Sequence, residues 1–110
     1  MRRRRTLFVT VVASLAFLSE SASAQMSPAE QRGRTFAQAN CARCHAIDKV
    51  SPSPLPIAPP FRSLHERYPP ESLAETLAEG IVTGHPTMPE FKLDPGQVGD
   101  FIAFLTSLAR

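Results

Sequence analysis

Two cysteines and a histidine stand close enough in the sequence to act on one ligand. Cys41, Cys44 and His45 form the pattern Cys-x-x-Cys-His, and the 110 residues contain no other cysteine. On a helix, residues three and four positions apart share a face, so both thiols and the imidazole would point the same way. This spacing is the attachment signature of covalently bound haem. The thiols would add to the two porphyrin vinyl groups, and the imidazole would bind the iron.

Three other roles are open to such a cysteine pair. A thioredoxin-like redox pair is expected within a βαβ unit, and the sequence predicts no alternation of strands and helices. A disulfide between Cys41 and Cys44 would close a very small loop and leave His45 without a role. A zinc site needs four ligands; His65 and His85 are available, but the spacings match no zinc-finger pattern. Haem attachment is therefore the preferred interpretation.

The iron of such a haem has a second axial position, and the residue that fills it decides the function. The candidates are Met26, His65, His85 and Met88. Met88 lies in a loop between prolines, which restrict the backbone enough to hold a thioether against iron. His85 is its rival, because imidazole binds iron more strongly. Met26 lies near a chain end that we expect to fray, and His65 stands among charged residues that indicate a solvated surface.

The first 24 residues predict a secretory signal peptide. Arg2 to Arg5 precede a largely apolar run, Leu7 to Leu18, and small residues lead to Ala24, the three parts of such a signal. As a helix the run would be about 18 Å long, against the roughly 30 Å of hydrocarbon that a membrane span must cross. We therefore expect removal of residues 1–24, export to the bacterial periplasm with no membrane span after cleavage, and a monohaem domain over residues 25–110. The alternative is that the segment is not cleaved and remains as a membrane anchor.

The charge of the expected mature chain excludes a basic nucleic-acid-binding protein. The sequence has 12 Lys and Arg against 10 Asp and Glu. Without Arg2 to Arg5 and Glu20, eight basic and nine acidic residues remain, a net charge of −1. No cationic surface is left to neutralise phosphates.

A domain this small builds a limited core and usually needs additional stabilisation, for example by a metal or a disulfide. If haem provides that stabilisation, the haem-free chain should be largely unfolded. The polypeptide alone should enclose a void bordered by Cys41, Cys44, His45 and Met88.

Three helices are predicted to position these residues. The first begins after Ser27, with Pro28 at its first position and Glu30 completing a capping box, and runs to about Asn40. Gly33 inside it predicts close approach of another helix, because glycine weakens a helix by about 1 kcal/mol relative to alanine.

The second predicted helix runs from Pro70 to Gly84. Its apolar residues recur every four positions: Leu73, Leu77 and Ile81. The third begins after Asp94 and carries an apolar stripe expected to pack on the first helix: Val98, Phe101, Ile102, Leu105 and Leu108. Five prolines in residues 52–60 exclude helix and sheet and predict an extended loop over one haem face.

Taken together, these features resemble the class I, mitochondrial-type c-type cytochromes, specifically the small bacterial periplasmic monohaem members. The resemblance covers residues 27–110 and rests on Gly33, Phe36, residues 40–45, Ala58-Pro59-Pro60-Phe61, Met88-Pro89 and the last helix. It implies an all-α, compact cytochrome c fold of about three main helices around one covalent haem c, with a Pro-rich loop.

The resemblance also implies a role for each site residue. Cys41 and Cys44 would carry the thioethers, with His45 as the proximal and Met88 as the distal iron ligand. The carbonyl of Pro59 would accept a hydrogen bond from the other His45 nitrogen and so fix the orientation of the ring.

With both axial positions filled by protein, a haem iron exchanges electrons without binding a substrate. We therefore expect a monomeric periplasmic electron carrier, not an enzyme, whose partners are periplasmic redox proteins: a dehydrogenase as donor or an oxidase as acceptor. The alternative is a haem-based ligand sensor or small catalytic haem domain with an open or labile sixth position. A third possibility is an accessory subunit of a larger membrane enzyme.

Two features depart from the resemblance. The segment between His45 and Met88 is short, with little room for an extra helix, and the lysine ring that mitochondrial members use for docking is absent, with only Lys49 and Lys92 present. The choice of partner therefore does not follow from it.

Overall fold

The computed structural model describes residues 25–80 and 87–110. Within them the chain forms four α-helices and one 3₁₀ turn, and no strand. The elements are α1 (Pro28–Asn40), the 3₁₀ turn (Phe61–Ser63), α2 (Leu64–Arg67), α3 (Pro70–Glu79) and α4 (Pro95–Leu108). The prediction of an all-α fold is confirmed. The predicted signal peptide lies outside the described residues.

The two longest helices begin where their capping residues predict. The Ser27 hydroxyl accepts the Glu30 N–H at 3.2 Å, and the Glu30 carboxylate accepts the Ser27 N–H at 3.2 Å. At α4, the Asp94 carboxylate accepts the Gln97 N–H at 2.8 Å, and the Gln97 side chain accepts the Asp94 N–H at 3.1 Å. Each box satisfies two backbone donors that a helix start leaves unpaired.

Helices α1 and α4 cross at Gly33, which is buried. A β-carbon built on Gly33 would overlap the carbonyl oxygen of Asp100 and lie 2.8 Å from Cβ of Phe104. At the surface beside this crossing, the Arg32 guanidinium donates two hydrogen bonds of 2.8 Å to the Asp100 carboxylate. Arg32 is largely exposed, and exposed pairs contribute little stability. The steric fit at Gly33 therefore sets how close the two helices lie.

Aromatic rings extend this crossing into the core. The ring of Phe101 on α4 stands edge-on to that of Phe36 on α1, with centroids 5.9 Å apart, and edge-on to that of Phe61 at 5.6 Å. The predicted packing of the last helix on the first is confirmed.

Helix α3 ends earlier than its apolar periodicity predicts. It stops at Glu79, and Gly80 follows with φ of 113°, a conformation that favours glycine. The predicted end at Gly84 was therefore wrong, because Gly80 already turns the chain out of the helix. Ile81 and Gly84 lie outside the described residues.

A short helical segment also occupies the region where the sequence left little room for one. The 3₁₀ turn and α2 together span residues 61–67. Phe61 and Leu64 are buried there, and the Tyr68 N–H closes the turn on the Leu64 carbonyl at 2.8 Å. One helical turn needs few residues, so two buried anchors suffice to form it. Residues 51–60 before it form neither helix nor strand, as predicted.

Replacing Gly33 by alanine should destabilise the protein by about 1–3 kcal/mol or more, because the β-carbon forces the two helices apart. Gly99→Ala in α4 is the matched control, since a β-carbon there meets nothing within 4 Å. It should leave stability unchanged or raise it by up to about 1 kcal/mol. Denaturant unfolding of the haem-loaded protein measures both. Equal stability of the two variants would contradict the close crossing.

Candidate functional site

A cavity of about 400 Å³ lies among the end of α1, the Pro-rich loop, α3 and residues 87–91. Its size is within the roughly 300–1,000 Å³ of typical ligand pockets. Most of its walls are apolar: Phe36, Leu55, Ile57, Ala58, Phe61, Leu64, Leu73, Leu77, Phe91 and Phe101. Cys41, Cys44, His45 and Met88 also line it, so the predicted void is present.

The Cys-x-x-Cys-His motif lies on turns that follow α1 rather than on the helix itself. The Cys41 N–H donates to the Ala37 carbonyl at 2.8 Å, which continues the helical pattern past the last residue of α1. The N–H groups of Cys44 and His45 then donate to the Cys41 carbonyl at 3.1 and 2.9 Å. These bonds bend the chain so that both thiols and the imidazole border one cavity. Both cysteines are free thiols.

The Pro-rich loop fixes the orientation of the His45 imidazole. Its Nδ1 lies 2.8 Å from the carbonyl oxygen of Pro59. A carbonyl can only accept, so Nδ1 donates this bond, and Nε2 is the nitrogen left to bind a metal. The next residue, Pro60, has no N–H group. The ring of Phe61 packs on the imidazole with centroids 5.0 Å apart.

The candidates for the sixth iron ligand that the structure describes differ in their position relative to the cavity. Met88 is half-buried and lines the cavity with Pro89. Met26 packs against the hydrophobic core rather than fraying, and the Gln31 side-chain amide donates to its carbonyl at 3.0 Å. His65 is exposed on α2. His85 lies outside the described residues.

The surroundings of the cysteines fit neither a dithiol redox centre nor a zinc site. Burial, and then the neighbouring Cys44, raise the pKa of the Cys41 thiol to about 11, whereas reactive dithiols have lowered pKa values. No group of three or more His, Cys, Asp or Glu side chains that could hold a metal occurs in residues 25–80 and 87–110. The four ligands of a zinc site are therefore not assembled in that part of the chain.

A tight turn fastens the start of the Pro-rich loop. The Asp48 carboxylate accepts the N–H groups of Val50 and Ser51 at 2.9 and 2.6 Å and the Ser51 hydroxyl at 2.6 Å. Arg62 donates to the Ser51 carbonyl at 2.6 Å and so ties this turn to the 3₁₀ turn. The bonds from Ser51 and Val50 lower the pKa of Asp48 to about 2. This support was not predicted, although Asp is a common turn residue because its side chain accepts from the backbone two residues further on.

The polar part of the cavity wall was also missed. Its members are Asn40, Arg67, Tyr68, Ser72, Thr76 and Thr87. They come from α1, from α2 and the residue after it, from α3 and from the segment that carries Met88 (residues 87–93). No sequence pattern predicts that they lie on one wall. Leu73 and Leu77, predicted as part of an apolar stripe, border the cavity beside them.

Among the described residues, no helix has the length and apolar character that crossing a membrane requires.

A helical domain that turns a Cys-x-x-Cys-His motif onto an apolar cavity is a small c-type cytochrome with the cytochrome c fold. The family model described as Cytochrome C oxidase, cbb3-type, subunit III matches residues 28–105, and the chain belongs to this family. No curated protein and no solved structure matches the chain. Membership of a cytochrome c family implies covalently bound haem c and electron transfer through it.

The lowered pKa of Asp48 makes the stability of this loop depend on pH. The ordinary value of 3.8 applies to the unfolded chain and about 2 to the folded one. The ionised carboxylate therefore stabilises the fold fully above pH 3.8, and this contribution disappears as the pH falls through 2. The difference in unfolding free energy between wild type and Asp48→Asn, both haem-loaded, should shrink over that window. A difference that stays constant from neutral pH to pH 2 would contradict the Asp48 turn.

Proposed function

We propose that the protein is a periplasmic electron carrier with one haem c, held by thioethers at Cys41 and Cys44 and by axial bonds from His45 and Met88. The observation that supports this most is that all four side chains border one apolar cavity. Met88 is distant from the motif in sequence, so the fold, not local spacing, brings it there.

Each of these side chains has a task that its surroundings support. When bound, haem supplies a one-electron redox centre. The hydrogen bond from His45 Nδ1 to Pro59 fixes the ring so that Nε2 can bind the iron. The thioether of Met88 opposite an imidazole favours a higher reduction potential than a second imidazole would. The apolar walls would limit the access of water to a bound iron.

The polar wall suits the carboxylates that haem carries. Among the described residues, Arg67 is the one Lys or Arg side chain that lines the cavity, and the exposed Tyr68 follows it. A guanidinium is a strong partner for a carboxylate. Arg67 would therefore pair with a carboxylate of the bound group.

The family description supports an oxidase as the electron acceptor, because it names a subunit of a cytochrome c oxidase. We propose electron exchange with such an oxidase and with a periplasmic dehydrogenase as donor, by a monomer that is not itself an enzyme. No nucleic-acid partner is proposed. Purification from native membranes distinguishes a free carrier from an accessory subunit, since only a subunit would stay with the oxidase.

We also propose that residues 1–24 direct export and are then removed, leaving residues 25–110 as the haem domain. The mass of the protein recovered from the periplasm tests this, because a chain that still starts at Met1 would contradict it.

Replacing Met88 by alanine should open the sixth position. The ferric protein should lose the weak absorption band of a Met-sulfur ligand completely, and the ferrous protein should bind CO. His85→Ala is the matched control, since it removes the rival ligand three residues before Met88 in the sequence, and it should keep the band and exclude CO. Visible spectra of the haem-loaded variants measure both effects.

Two results would contradict this ligand assignment. If His85→Ala binds CO and Met88→Ala does not, the ligand is His85. If the wild type itself is high-spin and binds CO, the protein belongs to the sensor or catalytic class.

A further inference from the structure

Residues 87–93, the segment that carries Met88, are held against the end of α3 by a backbone hydrogen bond. The Leu93 N–H donates to the Leu77 carbonyl at 2.8 Å. Both leucines are buried, each 5% exposed, and Leu77 also lines the cavity. This bond anchors the segment at its far end, five residues after Met88.

A second contact lies closer to Met88. Gly80 ends α3 with φ of 113°, and a β-carbon built on it would lie 2.7 Å from Oε1 of Glu90. The Glu90 side chain therefore rests on the bare α-carbon of Gly80, in space that a larger residue would occupy.

The neighbours of Glu90 lie against the cavity. Met88, Pro89 and Phe91 all line it, and the ring of Phe91 stands edge-on to that of Phe36 at 6.4 Å. Glu90 itself is exposed and forms no ion pair within the described residues. Its contact with Gly80 joins the outer side of the segment to α3.

We propose that Gly80 and Glu90 are positioning residues for the sixth iron ligand. The inference rests on the proposed ligation by Met88. A thioether is a weaker iron ligand than imidazole, so an added imidazole competes with it. The apparent affinity of the competitor rises with the fraction of molecules in which the thioether is off the iron. A contact two residues from Met88 that restricts this segment lowers that fraction.

The test is a titration of the ferric, haem-loaded protein with imidazole, followed by loss of the Met-sulfur band. Glu90→Ala removes the contact and should raise the apparent affinity for imidazole about fivefold or more. Glu90→Gln keeps the shape of the side chain and should stay within about twofold of wild type. Glu75→Ala is the matched control, because it removes an exposed carboxylate from α3 without touching the segment, and it should also stay within about twofold.

The outcomes separate this inference from the proposed function. A wild-type spectrum without the Met-sulfur band overturns the ligation by Met88 and this inference with it. A wild-type band together with an unchanged affinity in Glu90→Ala overturns the positioning role alone. Equal effects in Glu90→Ala and in either Glu90→Gln or Glu75→Ala overturn it too, because the cause would then be lost charge. The fivefold change corresponds to about 1 kcal/mol, so the thermal unfolding temperature of Glu90→Ala should fall by no more than several degrees. Glu90→Gln and Glu75→Ala should unfold at the wild-type temperature.

Discussion

The apolar cavity is the constraint on which the rest of the structure depends. The cavity of about 400 Å³ is lined mainly by apolar side chains and opens to solvent. Without a bound group, water would reach these walls, and the free energy that their burial contributes to folding would be lost. The whole folding free energy of a small domain is only about 5–15 kcal/mol. Folding of this chain therefore depends on what occupies the cavity, and the same group supplies the function.

The two sides of the site are held by different parts of the fold. The crossing of α1 and α4 at Gly33 fixes the end of α1, from which the motif turns onto the cavity. The Pro-rich loop then supports His45 through the Pro59 carbonyl. On the other side, α3 holds the Met88 segment through Leu77. The geometry of the axial positions is thus a consequence of helix packing, and changes far from the cavity can alter it.

The features predicted correctly from the sequence are those that local chemistry decides. The capping boxes at Ser27 and Asp94 need only neighbouring residues. The Cys-x-x-Cys-His spacing predicted that its three side chains share one face, although they do so on turns and not on a helix. The end of α3 was mispredicted because Ile81 continues the apolar period, whereas Gly80 stops the helix. The contacts of Glu90 with Gly80 and of Arg67 with the cavity join distant segments, which no local pattern reveals. The Pro59 contact was anticipated only through the family resemblance.

The central claim is that one bound group serves as both core and redox centre, and a comparison of the chain with and without it tests that claim most directly. Cys41→Ala/Cys44→Ala, purified free of haem, is compared with the haem-loaded wild type by circular dichroism during thermal unfolding. We predict low helicity and no cooperative transition for the haem-free chain, against a helical protein with a cooperative transition for the wild type. A haem-free chain that is helical and unfolds cooperatively would contradict the account.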